Sequence, residues 1–370
     1  MPVQITGLVS HNRGTPLLPA AQDEFDVDAI IASAQAQEAA GYDQVLIANN
    51  ATMPDSHTMG MFVAASTTRL GLLMAHRPGF IAPTMAARML ATIDRLSKGR
   101  LTVHIIAGPS DKELEADGDF TTKADRYARA REYVDIMRRV WSATAPIDHD
   151  GRFYRFNQAY APIKPVDGHA VPVSWAGTSP ASIEACGECA DIFAMSGDSL
   201  ANITETMGQA RAAADRAGRK LDFLMTVLVI LGKTEDEAWD KADRVLEEFL
   251  AMKAKVEGAA AKGPSNFSAA SDASDRVLAT AARGARQDGC LWMGVTEAAQ
   301  GRFGNQTTLV GTPEQVTDAL MDYYRAGVTR FLIRGFRPDS DIVEYGETLF
   351  PVLRGAVAQY DLAHSQLEST

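Results

Sequence analysis

Short runs of β-branched and apolar residues alternate along this chain with longer stretches in which apolar positions recur at helical spacing. That alternation is the sequence form of parallel β-α units. The runs predict strands at Val3–Val9, Gln44–Ala48, Leu70–Ala75, Leu101–Ala107, Val173–Ala176, Ile192–Met195, Phe223–Leu231 and Arg330–Arg334. Between them the pattern predicts helices near Val27–Ala40, Pro83–Leu96, Lys123–Trp141, Leu200–Ala217, Glu235–Met252 and Pro313–Ala326, with Gly41 and Gly327 as end punctuation. Eight such strands predict an α/β protein with a (β/α)8 TIM barrel. A doubly wound open sheet is the alternative, disfavoured because no G-x-G-x-x-G follows the first strand, where a dinucleotide turn would need it.

Two stretches break the alternation. Ala143–Pro172 holds Asp148-His149-Asp150-Gly151-Arg152-Phe153-Tyr154 followed by Pro162, Pro165 and Pro172, and reads as a small β excursion before the fifth strand. Lys255–Thr307 is rich in Ala, Ser and Gly, with a helical piece near Ala273–Arg286 and little periodicity elsewhere. Its length, ahead of the last β-α unit, predicts a mobile lid rather than a disordered insertion. Residues 1–370 are expected to form one barrel domain, with 255–307 inserted in it, since such barrels take about 250 residues plus insertions.

Composition narrows the class. The chain is 46% hydrophobic and 22% charged, and it contains no apolar run approaching the roughly 20 residues of a membrane span. Its start, Met1-Pro2-Val3-Gln4-Ile5, reads as a strand and not as a signal peptide, so the expected location is the cytoplasm. The net charge of −11 opposes nucleic acid and anionic membranes as partners. Three cysteines make no disulfide framework. Cys186 and Cys189 form a C-x-x-C that reads as two small residues on a helix, because no second pair or histidine cluster completes a metal site.

Polar residues concentrate where the predicted strands end, the face on which such barrels build their sites. They are His11, Asn12 and Arg13; Asn49 and Asn50; His76 and Arg77; His104; Thr178 and Ser179; Ser196 and Asp198; and Arg334 and Arg337. The fifth strand runs into Trp175-Ala176-Gly177-Thr178-Ser179-Pro180, a small-residue turn opening a helix. Backbone N–H groups, two hydroxyls and the helix dipole there suit a phosphate, although a capping turn without a ligand has the same form.

Taken together, these residues resemble the FMNH2-dependent monooxygenases of the bacterial-luciferase-like class, most of all the alkanesulfonate monooxygenases. The stretches that carry the resemblance are Pro83–Arg100, Gly108–Gly118 with Glu113, Asp125-Arg126-Tyr127, Ala176–Ser179 and Leu309-Val310-Gly311-Thr312-Pro313. The resemblance implies FMN, as FMNH2 delivered by a separate NAD(P)H-dependent flavin reductase, with O2 and a small-molecule substrate. It places Asn49 and Asn50 beside the flavin ring, His104 and Glu113 near the ring and ribityl chain, and Arg126, Tyr127 and Ser179 at the phosphate, to which the Thr178 hydroxyl of the same turn is added. Relatives carry Asn where this chain has His104. It further implies carbon–sulfur cleavage to an aldehyde and sulfite, a place in sulfur metabolism, a lid arginine matching Arg302, and a catalytic His11, whose unperturbed pKa of about 6.5 suits a donor or a base. A homodimer or homotetramer is implied, through apolar residues on the helices after the second and third strands, Met59, Met61, Phe62 and Met85–Met89.

The sulfonate pocket departs from the pattern. Thr226 and Leu228 stand where relatives carry Arg and His, Ser196 where they carry Trp, Phe336 where they carry Tyr, and a cysteine is replaced within Ala51–Asp55. His11, Arg77 and Arg302 remain. Arg334 and Arg337 flank the last strand end and offer positive charge from another direction, so the expected substrate side comprises Arg77, Ser196, Thr226, Arg334, Phe336 and Arg337. Rival readings keep the scaffold: hydride transfer with a deazaflavin, oxygenation of a substrate without sulfur, or flavin binding without catalysis.

Overall fold

A computed structural model describes the chain apart from residues 1–2, 22, 109–110, 169, 261–271, 301–305 and 369–370; at 258–260, 272–274 and 366–368 only the backbone is described. Eight strands form the barrel: β1 (Gln4–Val9), β2 (Gln44–Ile47), β3 (Gly71–His76), β4 (Leu101–Ile105), β5 (Val173–Ala176), β6 (Ile192–Ser196), β7 (Asp222–Leu231) and β8 (Arg330–Arg334). They lie in the order β7-β8-β1-β2-β3-β4-β5-β6, with β7 also pairing β6. This is the (β/α)8 TIM barrel, and each strand falls within two residues of the run that predicted it.

The helices used below are α1 (Val27–Ala40), α2 (Ser56–Ser66), α3 (Pro83–Leu96), α4 (Lys123–Ser142), α5 (Pro180–Cys189), α6 (Leu200–Arg216), α7 (Glu235–Ala260), α8 (Pro313–Ala326) and α9 (Phe350–Glu368). Their ends follow local chemistry. Asp26 caps α1 by accepting from Ala29 N, Thr312 and Gln315 form a capping box on α8, and Gly41 and Gly327 close the two helices with φ of 89° and 113°. Among the described residues no helix is long and apolar enough to cross a membrane. Cys186 and Cys189 are unbridged and buried on α5. On α2 and α3, Met59 is buried whereas Phe62 and Met85 are exposed.

The chain divides into two compact units, 44–194 with 207–222, and 1–43 with 195–206 and 223–370. In the first, Tyr133 and Trp141 of α4 pack fully buried, and the Trp141 indole N–H donates to Ala87 O of α3 at 2.8 Å. The β excursion expected in 143–172 is a hairpin, Ile147–Asp150 with Arg155–Ala159.

In the second unit, β1 pairs β8 only through Gln4–Arg330, Ile5–Phe331 and Thr6–Leu332, although both strands run further. Beyond that point the Gln37 carboxamide of α1 stands in for the missing neighbour: its Oε1 accepts from Leu8 N and its Nε2 donates to Leu8 O, both at 3.1 Å. Gly7 makes this approach possible, because a Cβ there would lie 1.7 Å from Gln37 Oε1. The insertion holds more regular structure than its composition suggested. α7 continues to Ala260, a helix spans Asp272–Ala281, and Leu291–Trp292 pairs antiparallel with a strand just past the insertion, Thr308–Gly311, which in turn pairs with the far half of β7. The stretches 261–271 and 301–305 of the expected lid lie outside the described residues.

Candidate active site

The residues expected to hold a flavin all lie in the unit 44–194, in two groups. The first ties together the loops after β2, β3 and β4. Arg77, buried just past β3, pairs with Glu113 and reaches Asp117 at 3.3 Å, and Glu113 Oε1 also accepts from Ala51 N at 3.1 Å. Asn49 Nδ2 donates to Ser56 Oγ at 3.2 Å, and that hydroxyl donates to Ala75 O at 2.7 Å. Asn50 folds back on its own loop, where its Oδ1 accepts from the Thr52 N–H and hydroxyl. His104, on β4, meets Ser174 Oγ at 2.9 Å from its register partner on β5. Burial pushes the His104 imidazole down to about 4, so it is neutral and able to give or take one hydrogen bond.

The second group is the turn between β5 and α5. Gly177 has φ of 123°, and a Cβ there would lie 2.5 Å from Ser182 Oγ and 3.2 Å from the Tyr127 hydroxyl. Ser179 caps α5, with its hydroxyl facing Ser182 N at 3.4 Å. The Thr178 hydroxyl is buried with no hydrogen-bond partner among the described residues, and the same holds for Arg126 Nε. The rest of the Arg126 guanidinium is held by Thr121 O at 2.6 Å and Asp111 at 2.7 Å. A close backbone turn, a helix N-terminus, an unmatched hydroxyl and an oriented guanidinium fit an anionic phosphate.

Residue-by-residue reading missed a buried chain behind the first group. Asp55 Oδ2 lies 3.2 Å from His57 Nδ1, His57 Nε2 2.9 Å from His76 Nδ1, and His76 Nε2 2.8 Å from the Tyr133 hydroxyl. Burial beside His57 lowers His76 to about 3. With one proton on each ring, every donor in this chain points toward the Asp55 carboxylate. His76 was visible as a strand-end polar residue. Its partner His57, inside a helix, carried no signal of its own.

The remaining expected residues belong to the other unit. His11 Nε2 accepts from Asn12 Nδ2 at 3.1 Å, its Nδ1 is buried without a partner among the described residues, and burial lowers its pKa. Ser196 ends β6, and Thr226 on β7 is half-buried opposite Leu332. Arg334, also half-buried, lines a cavity. Two expectations meet competing partners. Phe336 is buried in an apolar cluster with Trp239 and Phe249 of α7 and with Leu228 of β7, and Arg337 pairs with both carboxylate oxygens of Glu248 at 2.7 and 2.8 Å. A buried ring in an apolar layer leaves little for a substrate to engage, and Arg337 would meet a substrate anion only in competition with Glu248. Arg302 lies outside the described residues.

A family model for luciferase-like monooxygenases matches residues 6–330. Among solved structures, a riboflavin lyase crystallised with modified FMN and riboflavin superposes with a TM-score of 0.74 at 19% identity, covering 96% of this chain and 92% of that one. The EDTA monooxygenase of Chelativorans sp. BNC1 gives 0.71 at 16% identity, covering 96% and 94%. An F420-dependent secondary alcohol dehydrogenase in complex with an F420–acetone adduct gives 0.67 at 18% identity, covering 95% and 99%. At such identities these likenesses speak to the fold.

Proposed function

This chain belongs to the luciferase-like monooxygenase family, and from that premise we propose that it uses FMNH2, supplied by a separate NAD(P)H-dependent flavin reductase, to oxygenate a sulfonate or related organosulfur compound with carbon–sulfur cleavage to an aldehyde and sulfite. The observation that carries the cofactor reading is the turn at Gly177–Ser179, where the unmatched Thr178 hydroxyl and the Arg126 guanidinium suit a phosphate. Reduced flavin supplies the two electrons with which O2 gives one oxygen atom to the substrate and the other to water.

The protein's own part is positioning and proton placement. Ser179, Thr178 and Arg126 would hold the phosphate end, while the Arg77–Glu113–Ala51 tie and the Asn49–Ser56 bond order the loops that would border the ring. Neutral His104 would be able to donate to a ring carbonyl without adding a charge. His11, with one ring nitrogen uncommitted among the described residues, is the candidate proton donor or acceptor. For an anionic substrate group the candidate contact is Arg334, a half-buried guanidinium that lines a cavity.

The test is anaerobic mixing of protein with FMNH2, then oxygen, with and without candidate sulfonates. The reading expects flavin reoxidation slower than in free buffer, quickened by the true substrate with release of sulfite. Reoxidation at the free rate overturns it. Reduced F420 transferring hydride without oxygen would then bring forward the deazaflavin reading that the F420-dependent neighbour motivates, and flavin binding without any turnover would leave a binding protein.

A further inference from the structure

The hydrogen-bonded chain behind the ring-side loops joins three elements of the unit 44–194. It starts at Asp55, which caps α2: its Oδ1 accepts from the Thr58 N–H and hydroxyl at 2.8 and 2.7 Å, and its Oδ2 faces His57 Nδ1 at 3.2 Å. His57 Nε2 lies 2.9 Å from Nδ1 of His76, the last residue of β3, and His76 Nε2 lies 2.8 Å from the Tyr133 hydroxyl of α4. Helix and strand come close enough for the middle bond because Gly60 follows His57 by about one turn, and a Cβ there would lie 2.3 Å from the Met74 methyl of β3. Among the described residues Tyr133 meets no acceptor other than His76, so its hydroxyl is the donor. Burial keeps His76 neutral, and both rings are then Nδ1–H tautomers that pass the donor direction on to Asp55. Each member also adjoins the candidate site. Ser56, beside His57, takes the bond from Asn49, and Arg77, beside His76, holds the Glu113 carboxylate that accepts from Ala51 N. On α4 the buried Arg126 precedes the buried Tyr133 by about two turns, so the two share a face.

We propose that Asp55, His57, His76 and Tyr133 are positioning residues, a brace that sets the loops carrying Asn49 and Arg77 against α4, the helix that carries Arg126. The proposal rests on the functional reading above for what those loops and that helix hold, and goes beyond it in naming what fixes them. Groups fixed in advance spare a ligand the cost of ordering them. The chain is complete in the protein alone, so the brace can stand or fail apart from that reading.

The experiment has three arms on the full chain. Nitrogen-15 NMR of histidine-labelled protein at neutral pH, assigned with His57 and His76 variants, should find both rings as Nδ1–H tautomers; an Nε2–H tautomer at His76 overturns the chain. Hydrogen exchange without flavin then reads the brace. Tyr133→Phe, which keeps the ring and removes only the hydroxyl, should speed exchange of the Ala51 amide about tenfold, the worth of one buried hydrogen bond, and leave the Leu8 amide of the other unit unchanged. His57→Asn, whose short amide reaches Asp55 but not His76, should do the same, whereas His57→Gln, whose amide oxygen reaches to about where Nε2 stands, should keep most of the protection. Faster exchange at Ala51 and Leu8 alike, no change at Ala51, or equal behaviour of the two His57 variants overturns the brace. Fluorescence titration is the third arm. Tyr133→Phe should weaken FMN and riboflavin by the same factor, about tenfold, because the ring-side loops serve both; unmoved riboflavin affinity overturns the assignment of the braced loops to the ring. A native protein that binds neither flavin overturns the functional reading, and the first two arms still decide the brace.

Discussion

Gly177 occupies a conformation that a side chain rarely adopts, in a space that a side chain would have to share with Ser182 and Tyr127. Gly177→Ala is therefore expected to displace the turn and weaken FMN at least tenfold while leaving riboflavin, which has no phosphate, nearly untouched. Arg126→Gln should show the same selectivity, with FMN affinity falling about ten- to a hundredfold, the worth of one charge-assisted contact. Fluorescence titration of both flavins reads the two variants, and equal losses for FMN and riboflavin would sink the phosphate assignment. This turn was legible in the sequence because its signal is local: a glycine, two hydroxyls and a helix-opening proline in succession. Phe336 and Arg337 were harder to read for the opposite reason. They follow the last residue of β8, where strand alternation no longer fixes direction, so only packing against α7 reveals that one is core and the other paired with Glu248.

At the scale of elements, the eight barrel strands were readable because each is a compact apolar run bounded by turn-formers, and α1 and α8 because glycine closes them. The ladder appended to β7 was not, since two-residue strands such as Leu291–Trp292 have no period to detect and are specified by their partner. Gln37 was equally hidden, a polar residue on a helix whose role is to complete a strand. Its loss should matter. Gln37→Leu leaves Leu8 N–H and C=O without that partner, at a cost of about 1–3 kcal/mol, visible as a lower urea midpoint with an unchanged slope. Gln37→Glu retains one acceptor and should recover part of the loss. A midpoint unaffected by Gln37→Leu would show that water serves Leu8 equally well.

For the whole molecule, His76 and His104 tie stability to acidity. Their folded pKa values, about 3 and about 4, lie below the ordinary value near 6.5 that an unfolded chain restores. Between those limits the unfolded state binds protons that the folded state refuses, so stability is full above pH ~6.5 and falls as the solution is acidified toward 4 and then 3. Urea midpoints taken across that range should decline, and His104→Asn, keeping a polar partner for Ser174, should shallow the decline; a flat profile would contradict the buried neutral imidazoles. The short seam between β1 and β8 bears on how the protein is made. Its partners, Gln4 and Arg330, are separated by most of the chain, so at roughly 5–20 residues per second the ribosome leaves β1 without its final neighbour for tens of seconds. An unpaired edge is an invitation to aggregation. Gln37 emerges only about thirty residues after that edge and can cover Leu8 long before β8 exists. Pulse-labelled hydrogen exchange on nascent or refolding chains should find the Leu8 amide protected ahead of Thr6, with the side chain of a helix acting as chaperone to the strand that precedes it.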